Sequence, residues 1–195
     1  MKKSILFILV LALATVGLTG CVKIIDKGTE GQYTGEVAFD AAADSSNDWA
    51  QVVAEITGNA QELAAAIEAG IPADGAAVSG TGTISEFISK ASGKKNSLVI
   101  ALDGYDGDAE ITMQIGSIYS GTAIRDVQTL KSFGSFTNQT EWSEYAKALN
   151  AEMDAQVVQP LGMDESVQGK KITFVGAATA SGSEVTITPV SITIE

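Results

Sequence analysis

Apolar positions recur along this chain with three spacings, and each predicts a different kind of element. Behind Lys2 and Lys3 stands an unbroken apolar run, ILFILVLALATV, which ends in Leu18-Thr19-Gly20-Cys21. A brief alternation in GEVAFDA at 35–41, with Val37 and Phe39 on one side, predicts a short strand. Trp49, Val52, Val53 and Ile56 then follow the i, i+3, i+4, i+7 spacing of an amphipathic helix. Ser45, Ser46 or Asn47 would cap that helix and Gly58 would stop it. Asn59 with Glu62 resembles a capping box, opening a second helix through Leu63, Ala66 and Ile67 to Gly70 and Pro72.

From Ala76 the period changes to two. AVSGTGTISEFIS at 77–89 is rich in strand formers, and Gly80 and Gly82 permit a bend or a close approach of another backbone. SGKKN at 92–96 is a turn, after which Leu98, Ile100 and Leu102 share one side. A second turn at 103–108 leads to Ile111, Met113 and Ile115 facing inward, with Glu110, Thr112 and Gln114 outward. Asn138 with Glu141 starts a further helix, striped by Trp142, Tyr145, Ala146, Leu149 and Met153 and ended by Pro160. The chain closes with two strands, at 169–180 and 183–195. Inward parity switches at Pro189, so a bulge or an edge position is expected there.

A three-stranded meander, a helix and two more strands is the element order of an OB-fold. The expected class is therefore α+β: a five-stranded OB-like Greek-key β-barrel with an inserted helix and an N-terminal αα unit. An open antiparallel sheet covered on one face by helices has the same periodicity. The expected organisation is a leader at 1–20, a tether at 21–34, a helical unit at 35–75 and a barrel at 76–195 carrying the helix 138–158.

The first apolar run is too short for a membrane span and suits a secretory leader. Leu18-Thr19-Gly20-Cys21 resembles the bacterial lipobox, which makes Cys21 the expected lipid-attachment residue and places the mature chain outside the cytoplasm. More than one acyl chain anchors firmly where a single one does not. By analogy with known sorting, Val22 rather than Asp after Cys21 implies the outer membrane in a two-membrane cell. In a one-membrane cell the anchor lies on the outer face of the cytoplasmic membrane.

Charge and composition narrow the chemistry. Twelve basic residues, two of them in the leader, stand against 24 acidic ones, a field that repels nucleic acid and anionic surfaces. With no His and only Cys21, there is no Ser-His-Asp or Cys-His pair, no His-based zinc site and no intrachain disulfide. Asp103, Asp106, Asp108 and Glu110 invite a calcium reading, but their spacing is not that of an EF-hand, and Asp-Gly pairs between alternating runs are ordinary hairpin chemistry. No metal or other cofactor is expected.

Polar groups suited to recognition are densest between Ile111 and Asn150: Tyr119, Thr122, Arg125, Asp126, Asn138 and Gln139. Arg125 is the only arginine, and its five-donor fork would suit a carboxylate or paired sugar hydroxyls. It would equally serve as a structural ion pair with Asp126, helped by Asn138 or Glu141. Asn138 doubles as a helix cap, and Trp49 reads as core. An enzyme would need carboxylates as acid and base, for instance Asp126 with Glu141, and nothing distinguishes that pair from the other acids; a non-catalytic role is expected.

The lipobox with CVKI, the Trp49 helix, QIGSIYSGTAIRD, SFGSFTNQTEWSEYAKALN and the closing GKKITFVGA and ITPVSI segments together resemble an uncharacterised family of predicted bacterial periplasmic lipoproteins. The helix after Trp49 is Ala-rich here, where the family's pattern is longer and more basic. The resemblance implies an accessory role near sugar ABC importers, with importer components or a carbohydrate ligand as partners. A protein-docking adaptor at the envelope is the alternative.

Overall fold

The computed structural model describes residues 39–90 and 95–195. The proposed leader, Cys21, the tether and residues 35–38 of the short strand lie outside them, as do residues 92–94 of the turn at 92–96. Asp40–Glu195 form one compact unit. Its elements are α1 (Ala41–Asn59), β1 (Gln61–Glu62), α2 (Leu63–Ala69), β2 (Ala76–Ile88), β3 (Ser97–Leu102), β4 (Glu110–Gln114), α3 (Ala123–Val127), α4 (Gln139–Met153), β5 (Lys171–Ser181) and β6 (Glu184–Ile194).

The helices begin and end differently from the sequence expectation at three points. Helix α1 is capped by Asp40, whose carboxylate accepts from the backbone N–H of Ala42 and Ala43, each at 3.1 Å. The run Ala41–Ala43 propagates helix well, so the start lies upstream of Ser45, Ser46 and Asn47 and consumes the end of the expected strand at 35–41. Ser45 is inside the helix and its hydroxyl bonds back to the Ala42 carbonyl. Gly58 does not stop α1, which runs on to Asn59. No capping box forms at Asn59 and Glu62, because Gln61 and Glu62 pair in parallel with Val78 and Ser79 of β2 instead. Asn138 does cap α4, accepting from Glu141 N at 3.0 Å. Beyond Met153 the same stretch widens into a π-turn, Asp154–Val158, followed by a 3-10 turn that contains Pro160.

The strands close on themselves. Antiparallel β2–β3, β3–β4, β5–β6 and β2–β5 are joined by one parallel pair, β4–β6, giving the cyclic order β2-β3-β4-β6-β5. That is a closed five-stranded mixed barrel of the OB type, and it rules out the open sheet. Closure requires tight backbones, and Gly82 supplies one: a Cβ there would sit 2.5 Å from the Ala101 carbonyl oxygen. The register between β5 and β6 slips between Val175 and Gly176, opposite Pro189 to Ser191, so the expected bulge is present.

The barrel interior is filled by the inward set Ile84, Leu98, Ile111, Met113, Ile172, Phe174 and Ile187, all fully or nearly fully buried. Helix α4 follows β4 as the inserted helix, and α1 packs against it and against β2 and β5. Trp49, Val52 and Ile56 of α1 and Tyr145, Leu149 and Met153 of α4 are buried. Trp49 is therefore core.

Candidate functional site

Parallel pairing of β4 with β6 builds a ladder of outward side chains. Glu110 lies opposite Glu184, and Thr112 lies opposite Thr186. Thr179 of β5 continues the second row, because it pairs with Thr186 on the other side. One rung further, Gln114 Nε2 donates to Thr188 Oγ1 at 3.2 Å. Adjacent strands are about 4.8 Å apart and residues rise about 3.3 Å along a strand, so the rungs from Glu110 to Gln114 span roughly 13 Å.

The segment 116–122, which follows β4, forms a strap beside this ladder. Gln114 pins it twice: its Oε1 accepts from Ser120 N at 2.8 Å and its Nε2 donates to Ser120 O at 3.1 Å. Tyr119 Oη donates to Asp154 Oδ1 at 2.5 Å, and Gln159 Nε2 holds the other Asp154 oxygen at 2.7 Å. Burial, together with the hydrogen bond the hydroxyl donates to the negative Asp154 carboxylate, pushes the Tyr119 pKa well above the ordinary tyrosine range. Asn150 Nδ2 donates to the Gly121 carbonyl at 3.2 Å, and Gly121 takes the left-handed backbone (φ 87°) that turns the strap into α3.

Strap and ladder enclose a groove of about 580 Å³. Its floor is Thr112, Gln114, Thr186 and Thr188; Ile118 and Ala123 give it an apolar side, and Asp74, Asp126, Lys90 and Lys95 are charged residues in its lining. Ile118 is 45% exposed, the only apolar side chain of the strap presented outward in this way.

Of the six recognition candidates, Thr122 and Asp126 line the groove, while Tyr119 anchors its strap. Arg125 does not line it. Its Nε and Nη2 donate to Asp126 Oδ1 at 2.7 and 2.6 Å, its Nη1 donates to the Trp142 carbonyl at 3.3 Å, and its guanidinium lies 4.2 Å from the Trp142 ring centroid. The other Asp126 oxygen accepts from Thr122 Oγ1. The ion-pair alternative therefore describes this geometry, with the Trp142 carbonyl and ring in place of Asn138 or Glu141. Asn138 is engaged as a cap and Gln139 is exposed at the start of α4, away from the groove lining. Glu141 accepts from Thr137 N at 2.8 Å, so Asp126 and Glu141 each hold a structural partner. In the turn at 103–108, Asp103 is bound by Lys171 Nζ at 2.9 Å. Among the described residues no group of three or more acidic side chains is placed to hold a metal ion.

A second polar cluster joins α1 to α4. Lys131 reaches Asp48 at 2.7 Å and Asp44 at 3.2 Å, and Tyr145 Oη donates to Asp48 at 2.9 Å. Partial burial disfavours the Lys131 ammonium, but the bonds from Asp48 and Asp44 outweigh this and raise its pKa. Beside it Phe133, Phe136, Trp142 and Tyr145 form a chain of ring contacts with centroids 5.1 to 6.5 Å apart.

A family model described as "Predicted periplasmic lipoprotein (DUF2291)" matches residues 11–193. The chain belongs to this family. The match covers the lipobox and agrees with a lipid-anchored, extracytoplasmic protein. No curated protein matches this DUF2291 chain. Among solved structures it is similar to an OB-fold protein of Thermotoga maritima, at 12% identity and a TM-score of 0.59, over 81% of this chain and 99% of that one. That likeness establishes the fold alone. Of the groove residues on β4, β5 and β6 only Glu110 stood out in the sequence, as one of the acids of the calcium reading, while Thr112 and Gln114 read as the outward side of their strand.

Proposed function

We propose that this lipoprotein is a non-catalytic ligand-binding component that holds a small polyhydroxylated molecule, a carbohydrate, in the groove between the β4–β6 ladder and the strap. The observation that carries this reading is the floor itself. Thr112, Thr179 and Thr186 sit in one row across three strands, and Thr188 adds a hydroxyl at the next rung, held there by Gln114. Hydroxyl rows donate and accept alike, which suits a ligand with the same dual character. Ile118 on the strap offers an apolar surface for the C–H face of a sugar ring. The accessory role near sugar import that the family resemblance implies agrees with such a ligand.

The test is calorimetry on the full chain in a polyoxyethylene detergent, whose headgroup does not mimic a sugar, against neutral mono- and disaccharides. Binding should occur and should be lost when Thr112 and Thr186 are both changed to Val. Binding that survives this change sinks the assignment. An adaptor role is the second reading. It is favoured by Phe133, which is 53% exposed above the Trp142 ring, and pull-down with importer components lost in Phe133→Ser would support it.

A further inference from the structure

Three large apolar side chains stand exposed among the described residues: Phe133 at 53%, Ile118 at 45% and Leu161 at 38%. Ile118 belongs to the groove, whose lining includes Glu110, Glu184 and Asp126. Leu161 is followed closely by Asp164 and Glu165. Phe133 has a different setting. It stands in the stretch 132–140, SFGSFTNQT, which carries no charge in a chain with 24 acids and 12 bases. Every residue of that stretch is exposed except the half-buried Phe136. The Phe133 ring is held outward by a 3-10 turn, Phe133–Ser135, in which Ser135 N donates to Ser132 O at 2.9 Å and Ser132 N to Ser135 Oγ at 3.3 Å. Behind it the Trp142 ring stands edge-on at 6.5 Å, and Phe136 packs on Trp142 and Tyr145 at 5.1 and 5.2 Å. A ring so backed cannot fold inward to shed its exposure.

The patch also lies near the point where the chain enters the domain. Lys131, two residues before Phe133, is bound to Asp44 and Asp48 on the first turns of α1. Helix α1 is capped by Asp40, and residues 22–39 join that cap to Cys21, a length that spans at most roughly 60 Å when fully extended. We infer that the Phe133 patch is a second membrane contact, which enters the bilayer surface beside the lipid anchor and sets the orientation of the domain. Aromatic rings favour the interface between headgroups and acyl chains, where an apolar face sits about 5–10 Å deep. One exposed ring holds a free protein at a membrane only weakly. The anchor keeps the domain within reach of the surface, so a weak contact is enough to select one face. To bring Ile118 or Leu161 to the same depth, neighbouring carboxylates would have to shed water, and the uncharged stretch around Phe133 avoids this.

The experiment reconstitutes the full lipidated chain into phosphatidylcholine vesicles, with and without bromine atoms on the upper acyl chain as short-range quenchers of indole emission. It compares F133W with L161W. Trp49 and Trp142 are common to both variants, so the difference between them reports the introduced ring. The F133W emission should shift to the blue, and bromination should quench it roughly twofold or more beyond L161W, as expected for a ring at interfacial depth. Both positions are exposed, so both variants should melt with the parent, which separates a lost contact from a lost fold. Equal quenching of the two variants overturns the inference, because the domain then has no preferred face. Absence of quenching in both overturns it as well, and leaves Phe133 to the adaptor reading.

Discussion

Changing Arg125 to Lys keeps the charge and removes the shape, which makes it the most informative single perturbation of the recognition-rich segment. The arginine makes two bonds to one Asp126 oxygen, one to the Trp142 carbonyl and a stack on the Trp142 ring, with a side chain only 12% exposed. A lysine can keep one ion pair to Asp126 and cannot span to the Trp142 carbonyl in the same plane. The loss comprises one hydrogen bond to a carbonyl, about 0.5–1.5 kcal/mol, and the flat stack on the ring, about 0.5–2 kcal/mol for a largely desolvated cation–π contact. These overlap, so Arg125→Lys should destabilise by about 1.5–2.5 kcal/mol, equivalent to a fall in Tm of about 5 °C in a domain of this size. Urea denaturation measures the first and calorimetry the second. Affinity for groove ligands should change by about twofold or less, since Arg125 does not line the groove. A variant as stable as the parent that loses ligand would refute the structural assignment, because it would mean that the fork serves the ligand.

Three other outcomes follow from the same geometry. Phe174→Ala empties the middle of the barrel, where Phe174 is 1% exposed, and should cost about 3–5 kcal/mol in denaturant titration, with a cost below about 1 kcal/mol contradicting the closed core. Cys21→Ser should leave the protein unprocessed or released from the membrane fraction, and normal retention would contradict lipid attachment there. Alkaline unfolding should be steep. The Tyr119, Tyr145 and Lys131 pKa values are all raised by the fold, so their stabilisation is complete below about pH 10, near the unfolded values, and is lost as pH rises through the folded ones. Asp48→Asn should flatten this dependence, because Asp48 holds both Lys131 and Tyr145; an unchanged slope would rule that cluster out as its source.

The barrel was legible because inward positions alternate strictly. Leu98, Ile100 and Leu102, then Ile111, Met113 and Ile115, are buried as their parity predicts, and the parity switch at Pro189 marks the bulge. The helix starts were less legible because capping residues compete locally. Asp40 outcompetes Ser45 by standing before three alanines, and sheet pairing by Gln61 and Glu62 takes residues that a capping box would have used. Arg125 drew attention as the lone arginine, yet its neighbour Asp126 and the Trp142 ring fill its fork. The groove was illegible for a different reason. Thr112 and Thr186 are 74 positions apart in sequence, and only the parallel β4–β6 pairing, a tertiary fact, makes them one row.

That pairing also explains why the groove sits where it does. The helices α1 and α4 cover their part of the barrel with buried aromatic and aliphatic side chains, and Asp48 of α1 binds both Tyr145 of α4 and Lys131 of the connection that precedes α4. Beside the groove, by contrast, the strap is tied down by its own anchors, Gln114, Asn150 and Asp154, so holding it in place requires no ligand. A site whose walls are fixed before anything binds loses little ordering entropy on occupation. The floor beside the strap is the row Thr112, Thr179 and Thr186, with Thr188 held by Gln114 at the next rung. A hydroxyl row beside a strap already fixed by its own bonds would offer a ligand polar partners without asking the walls to move, and that is the physical ground of the proposed carbohydrate binding.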